Sequence, residues 1–246
     1  LRSARLLSQA ELALDERDFI GARNALKSLY GSGPRHVATA RMLLRAERGA
    51  QNWDEVLRLA TSLGKRDAIS LTIAEEYRVQ AHIELLGRAA GDRASLENRW
   101  ARIPANDQAH PRVAAAAARH ATALGEAALA RRILERALAA EWSPALVALY
   151  GELPQSDPHA PGEEARLRLE RAEKWLAGHA EDPRLLVTLG RLCAQAGLWG
   201  KARDYLEASL SFEKSRGAHL ELARLAERDG RAADAQMHFR SAAELP

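Results

Sequence analysis

Residues 182–246 are written twice at one spacing, and that repetition restricts the fold more than any other feature of the chain. Aligning Gly197 with Gly230 also aligns Leu189 with Leu222, Ala202 with Ala235 and Leu206 with Phe239, all 33 residues apart. Each copy holds two short apolar-periodic stretches around a glycine. Small residues recur at fixed places: Gly190, Ala202 and Ser209 in the first copy, then Ala223, Ala235 and Ala242 in the second. Two amphipathic helices of this kind bury one face against each other, and the small residues let their backbones come close. A unit of this size stacks on its neighbours rather than standing alone.

A small residue after leucine in helix A, glycine at the turn, then alanine, a bulky apolar residue and a small residue along helix B is the tetratricopeptide (TPR) pattern. It can be followed back through the chain. Leu6 to Asp15 and Asp18 to Leu29 form a first pair, closed by Pro34. Phe19, Ala22, Leu26 and Leu29 recur 34 residues later as Trp53, Val56, Ala60 and Leu63. Asp18 and Asn52 are then expected as N-cap or first-turn residues of the two B helices. A third unit runs from Leu71 to Leu86, through the expected loop GRAAGDRAS, into a helix over Leu96, Trp100 and Ile103 that Pro104 stops. It carries about six extra residues, expected on an exposed loop. Leu96, Trp100 and Ile103 return 34 residues on as Ala130, Leu134 and Ala137, and the helix before them, RVAAAAARHATALG, packs almost only alanine. The fifth unit is degenerate: SPALVALYGELP allows about two helical turns, and PQSDPHAPG, with three prolines and a glycine, must be a loop. Helix resumes at Glu163 to Leu176, with apolar residues at Leu167, Leu169, Ala172 and Trp175 or Leu176. The chain therefore reads as all-α. It is a TPR-like right-handed α-solenoid of about six to seven helix–turn–helix repeats, in one array of about fourteen helices. The repeats span 3–36, 37–69, 70–106, 111–142, 143–181 (degenerate), 182–215 and 216–246.

Composition agrees and narrows the chemistry. Aromatic residues are only 5% of the chain and apolar residues 47%, which favours thin, close-packed helices over a β core. Of 36 basic residues only five are lysine, so the formal net charge of +3 is carried on guanidinium groups. Cys193, the single cysteine, excludes a disulfide framework and falls on the inner face of its helix A as a small packed hydrophobe. The longest apolar run, Val113 to Ala118, is far short of the roughly 20 residues a membrane span needs. The chain begins in what already reads as helix, without methionine, and is expected to be an excised part of a longer protein.

No Gly-rich phosphate loop, His-Glu-x-x-His or Gly-x-Ser-x-Gly occurs, so no catalytic residues and no metal ligands are assigned and the chain is not expected to be an enzyme. Eight histidines (His36, His82, His110, His120, His159, His179, His219 and His238) are scattered and read as surface or groove residues, although His219 and His238 can meet across one helix pair. The candidate site is the inner wall of the A helices. Projected from the repeat alignment, it carries Arg41, Arg45 and Arg48 in the second unit and Arg112 and Arg119 in the fourth. Arg184 and Arg191 follow in the sixth, and Arg224 and Arg228 in the seventh. Arg45, Arg119, Arg191 and Arg224 share one register. Such arginines are either ordinary solvated surface of an arginine-rich protein or a ladder that reads carboxylates or phosphates on a partner. The Lys and Asn residues of a chaperone-type carboxylate clamp are missing from this stripe.

The order of segments resembles one family beyond generic TPR proteins. DFIGARNALKSL follows a basic first helix. SLENRWARIPAND precedes HPRVAAAAARHATALGEAALARRILERAL, and a proline-interrupted loop leads to DPRLLVTLGRLCAQAGLWGKARDYLEASLSFEKS. This layout is similar to the C-terminal TPR region of the HemY-type protoheme IX biogenesis proteins of proteobacteria. The resemblance implies two membrane-spanning helices ahead of the present start and a place at the bacterial inner membrane, with this region on the cytoplasmic face. It implies a non-catalytic scaffold for late haem biosynthesis. Its partners would be pathway enzymes such as ferrochelatase or protoporphyrinogen oxidase, not nucleic acid. No bound cofactor is implied, although the groove could receive haem or porphyrin. The alternative is a general TPR adaptor in envelope assembly without a haem role.

Overall fold

The computed structural model describes residues 2–32, 37–155 and 162–245, and Pro34 and most of the PQSDPHAPG stretch lie outside them. Among the described residues there are sixteen helices and no strand. They run α1 (Arg2–Asp15), α2 (Phe19–Ser32), α3 (Val37–Gly49), α4 (Trp53–Gly64), α5 (Leu71–Ala89), α6 (Arg93–Ala101), α7 (Ala105–Ala109) and α8 (Pro111–Ala123). There follow α9 (Ala127–Ala140), α10 (Pro144–Glu152), α11 (Glu163–Glu173), α12 (Leu176–His179), α13 (Pro183–Gln195), α14 (Trp199–Phe212), α15 (Arg216–Arg228) and α16 (Ala232–Ala243). The excess over fourteen comes from the short α7 and α12. Two compact units divide the chain, residues 1–116 and 117–246.

One turn geometry recurs between paired helices. The backbone N–H groups of Asp18, Asn52, Glu126, Leu198 and Arg231 each donate to the carbonyl five residues earlier, at 2.8–2.9 Å. The residue before each has positive φ: Arg17 at 59°, Gln51 at 55°, Gly125 at 79°, Gly197 at 78° and Gly230 at 72°. This is a Schellman cap, in which a left-handed residue lets the next N–H reach back to orphan carbonyls of the ending helix. Glycine fills the position without steric cost in three of these turns, and arginine and glutamine hold it under strain in two. Asp67, at 52°, does the same between α4 and α5, where Ala68 N reaches Leu63 O at 2.9 Å. Asp18 also accepts from Gly21 N at 2.9 Å, the expected side-chain cap. Asn52 makes no such bond. Its amide instead donates to the buried Glu47 carboxylate at 2.8 Å, which Lys27 of α2 approaches at 2.9 Å.

In the first unit α1 packs on α2, α2 on α3, α3 on α4 and α4 on α5. Its core joins Leu14, Leu26, Leu43, Leu59 and Leu63 with alanines and Trp53. The six-residue insertion does not form the expected exposed loop. It lengthens α5 to 19 residues against 13 in α3, leaving only residues 90–92 between α5 and α6. Asp92 caps α6 by accepting from Ser95 N at 2.9 Å. Pro104 does not stop α6, which ends at Ala101; it is the N-cap residue of α7. His82 on α5 is not a surface residue: it is 1% exposed, and its Nε2 donates to Asp107 of α7 at 3.1 Å. Arg78 reaches the same carboxylate at 3.3 Å.

In the second unit α13 packs on α14 and α15 on α16 as antiparallel pairs, with α14 against α15 and α13 against α15. The small residues do what their spacing requires. Gly190, Ala202, Ser209, Ala223, Ala235 and Ala242 are all buried, and a Cβ on Gly190 would lie 2.6 Å from Leu206 Cγ. Cys193 is fully buried, and burial pushes its thiol up to about 11.

In the degenerate fifth repeat Leu169 and Ala172 are buried, but not every apolar position of α11 is. Leu167 is 56% exposed, and the neighbouring Arg168 is 0% exposed. Arg168 Nη1 donates to Leu153 O at 2.9 Å and more weakly to Tyr150 O at 3.4 Å, at the C-terminal end of α10. Its Nη2 donates to Gln195 Oε1 of α13 at 2.9 Å. A guanidinium thus stands where helix carbonyls run out of partners, and it ties α10, α11 and α13 together. The helix expected over Glu163–Leu176 ends at Glu173, and α12 begins at Leu176.

Candidate binding clefts

The nine arginines of the projected ladder meet different fates. In the first unit Arg41 donates from Nε to Ala68 O at 2.7 Å, with Nη2 on the same oxygen, so it caps the turn after α4. Arg112 pairs with Glu76 at 2.8 Å, and that hydrogen bond holds the Glu76 carboxyl below its usual range. Arg45 and Arg48, one turn apart on α3, are exposed and have no acceptor among the described residues. Arg48 lies over the ring of Tyr77, 5.5 Å from its centroid.

In the second unit Arg191 is held by two carboxylates, Glu152 at 3.1 Å and Glu221 at 2.9 Å. Arg224 shares Glu221 at 3.0 Å. Arg228 pairs with Asp229 at 2.9 Å and stacks 3.6 Å over Trp199. Arg119 and Arg184 are exposed and unpaired among the described residues. The shared register of Arg45, Arg119, Arg191 and Arg224 is therefore not four equivalent open guanidinium groups, because Glu221 engages two of them. Part of this is visible in sequence, since Glu221 stands three residues before Arg224 on one helix face.

Two clefts gather what remains open. The cleft in the first unit, of ≈ 500 Å³, is bounded by Phe19, Trp53 and Tyr77, with Arg45 and Arg48 on one wall and Gln80 and Glu84 on another. The cleft in the second unit, of ≈ 330 Å³, lies between α10, α13 and the start of α15. Arg184, Lys214 and Arg216 line it, alongside Thr188, Ser215 and Glu213. These three cations are exposed and have no acceptor among the described residues. Lys214 and Arg216 were absent from the ladder; Lys214 lies in the segment joining α14 to α15, and Arg216 is the first residue of α15, about two turns before Arg224.

Side chains with catalytic or metal-binding potential also meet. His219 and His238 lie with Nδ1 atoms 3.0 Å apart across α15 and α16. One ring must donate and the other accept, which requires an unprotonated Nδ1. Burial, then His238 and Lys214, lower the proton affinity of His219. Among the described residues no group of three or more His, Cys, Asp or Glu is placed to hold a metal ion, and no helix is long and apolar enough to cross a membrane.

Helix pairs with recurring Schellman turns and a seam of small residues define a TPR-type helical-repeat protein. No family model matches the chain, and no curated protein matches it. Among solved structures, MamA MSR-1 C2 is similar to it at 17% identity and a TM-score of 0.41, covering 70% of this chain and 96% of its own. MamA AMB-1 P212121 is similar at 19% identity and a TM-score of 0.39, covering 71% of this chain and 92% of its own.

Proposed function

We propose that this chain is a protein-interaction scaffold that holds carboxylate-bearing partners, and that it serves late haem biosynthesis at the bacterial inner membrane. The observation that carries the binding reading is the convergence of Arg184, Lys214 and Arg216, without acceptors of their own, in one cleft of the second unit. Permanently charged, planar guanidinium groups suit carboxylates, whether acidic side chains of a partner enzyme or the propionates of a porphyrin. Binding rather than catalysis is also favoured by the titratable pairs the fold assembles. His82 and Asp107 are buried in a helix junction, and His219 and His238 bridge a helix seam. The haem assignment rests on the HemY-type order of segments. In that reading helices ahead of residue 1 tether the scaffold to the membrane, and ferrochelatase or protoporphyrinogen oxidase is the partner.

The test replaces Arg184, Lys214 and Arg216 together with glutamine. Retention of ferrochelatase and protoporphyrinogen oxidase is measured by pull-down, and porphyrin binding by titration. A control variant replaces the exposed Arg66, Arg102 and Arg240. Exposed charge contacts contribute about 0.2–1 kcal/mol each, so the triple variant should lose roughly tenfold in affinity, with the control unchanged. Equal retention by both variants would remove the cleft from the reading. If the wild-type chain retains neither enzyme nor porphyrin, the haem role is lost and a general adaptor remains.

A further inference from the structure

The cleft of the first unit has a different composition from the one just proposed as a carboxylate cradle. Its walls combine aromatic surface with two unpaired guanidinium groups. Phe19 lies against Gly49 so closely that a Cβ there would meet the ring at 2.2 Å, which keeps that wall in place. Trp53, the first residue of α4, is 4% exposed, and its indole Nε1 is buried without a hydrogen-bond partner. Tyr77, Gln80 and Glu84 follow at helical spacing along one face of α5, and Arg48 rests over the Tyr77 ring. Arg45 and Arg48 offer their donors outward, where no acceptor among the described residues meets them.

We infer that this cleft is a peptide-binding site for a partner segment carrying a carboxylate next to an aromatic or large aliphatic side chain. The carboxylate is taken by Arg45 and Arg48. The apolar side chain lies against Phe19, Tyr77 and the small exposed part of Trp53, and the peptide backbone meets Gln80. Charge complementarity selects this occupant. In the lining two arginines meet one carboxylate, Glu84; Glu76 also feels Arg48 but is itself held by Arg112, so the lining still favours an anion while disfavouring a run of acidic residues. The aromatic walls give little to a bare inorganic anion, and the guanidinium groups give little to a purely apolar segment. At ≈ 500 Å³ the space suits a few side chains rather than a helix laid along the unit.

The inference is separable from the proposed haem role, since it concerns another cleft and another probe. A random heptapeptide library is displayed and selected against the full chain, with counter-selection on the R45Q/R48Q variant. Both positions are exposed, and circular dichroism melts check that the variant folds as the wild type does. The expected consensus places Asp or Glu beside Phe, Tyr, Trp or Leu. The best peptide should bind the wild type at least about tenfold more tightly than its Asp→Asn or Glu→Gln counterpart, as a charge-assisted pair predicts. R45Q/R48Q should erase that difference. A selection that yields no consensus, one without an acid, or binding unaltered in R45Q/R48Q would overturn the site. Loss of ferrochelatase binding with this peptide preference intact would remove the haem proposal alone.

Discussion

Arg168 shows how one residue can decide a repeat. The fifth unit has a short first helix, so the carbonyls at the end of α10 have no following turn to meet them, and a guanidinium enters the core to do so. Arg168→Met keeps most of the volume and removes the donors. The orphaned buried carbonyls should cost about 1–3 kcal/mol, read as a lower urea midpoint. Leu167→Ser beside it, at an exposed position, should change little. The left-handed turn residues give a second comparison. Gln51→Gly relieves a strained φ and should stabilise by about 0.5–1 kcal/mol once glycine's greater flexibility is subtracted, while Gly197→Ala should cost about 1 kcal/mol. If the two substitutions shift the melting temperature in the same direction, the turns are not equivalent. Asp107 supplies a pH dependence. Burial acts to raise its carboxyl, but the hydrogen bond from His82 and the charge of Arg78 prevail and hold it below its usual value. A carboxyl lowered on folding stabilises the protein above its unfolded pKa, and that contribution fades as pH falls below about 4. Urea midpoints measured from pH 7 to pH 3 should therefore fall less steeply for Asp107→Asn than for the wild type.

At the scale of the element, the seam between paired helices is where sequence and structure agree best. Gly190 faces Leu206 with no room for a methyl group, and Ala202 is fully buried. Gly190→Ala and Ala202→Leu should each destabilise by about 1–3 kcal/mol through overpacking, measured by chemical denaturation. Arg231→Leu, at an exposed turn position, should do much less, and equal effects would mean that the seam register is misassigned. The same scale shows where a repeat pattern misleads. An insertion between apolar positions can become a loop or a longer helix, and helix-forming residues such as Leu85, Leu86 and Arg88 let α5 continue to Ala89. A glutamate that lies off the projected stripe in one repeat can still reach the stripe of the preceding one, as Glu221 of α15 reaches Arg191 of α13. Periodicity therefore located the helices and their buried faces, whereas cross-repeat pairing of long side chains left no mark in the spacing.

For the whole molecule, the legible part of the fold is what neighbouring residues determine within a turn or a helix pair. The illegible part is what distant segments contribute together. The second-unit cleft joins α13 to Lys214 and Arg216, and the first-unit cleft brings Tyr77, Gln80 and Glu84 to Phe19 and Trp53; the repeat register relates Phe19 to Trp53 but not these to the rest. The buried Arg168 was equally hidden, because its partners lie 15 and 27 residues away on either side. Stability in such a chain is expected to be local in the same sense, a sum of helix-pair terms and nearest-neighbour interfaces. Gly190→Ala weakens the α13–α14 pair, which lies in the second of two compact units. Native-state hydrogen exchange should then show faster exchange in α13 and α14, and a smaller change in α15 where it packs on them. Amides of α3 and α4 in the first unit should keep their wild-type rates. A uniform loss of protection from α1 to α16 would show instead that the chain unfolds as one cooperative body, and the additive treatment of its repeats would fail.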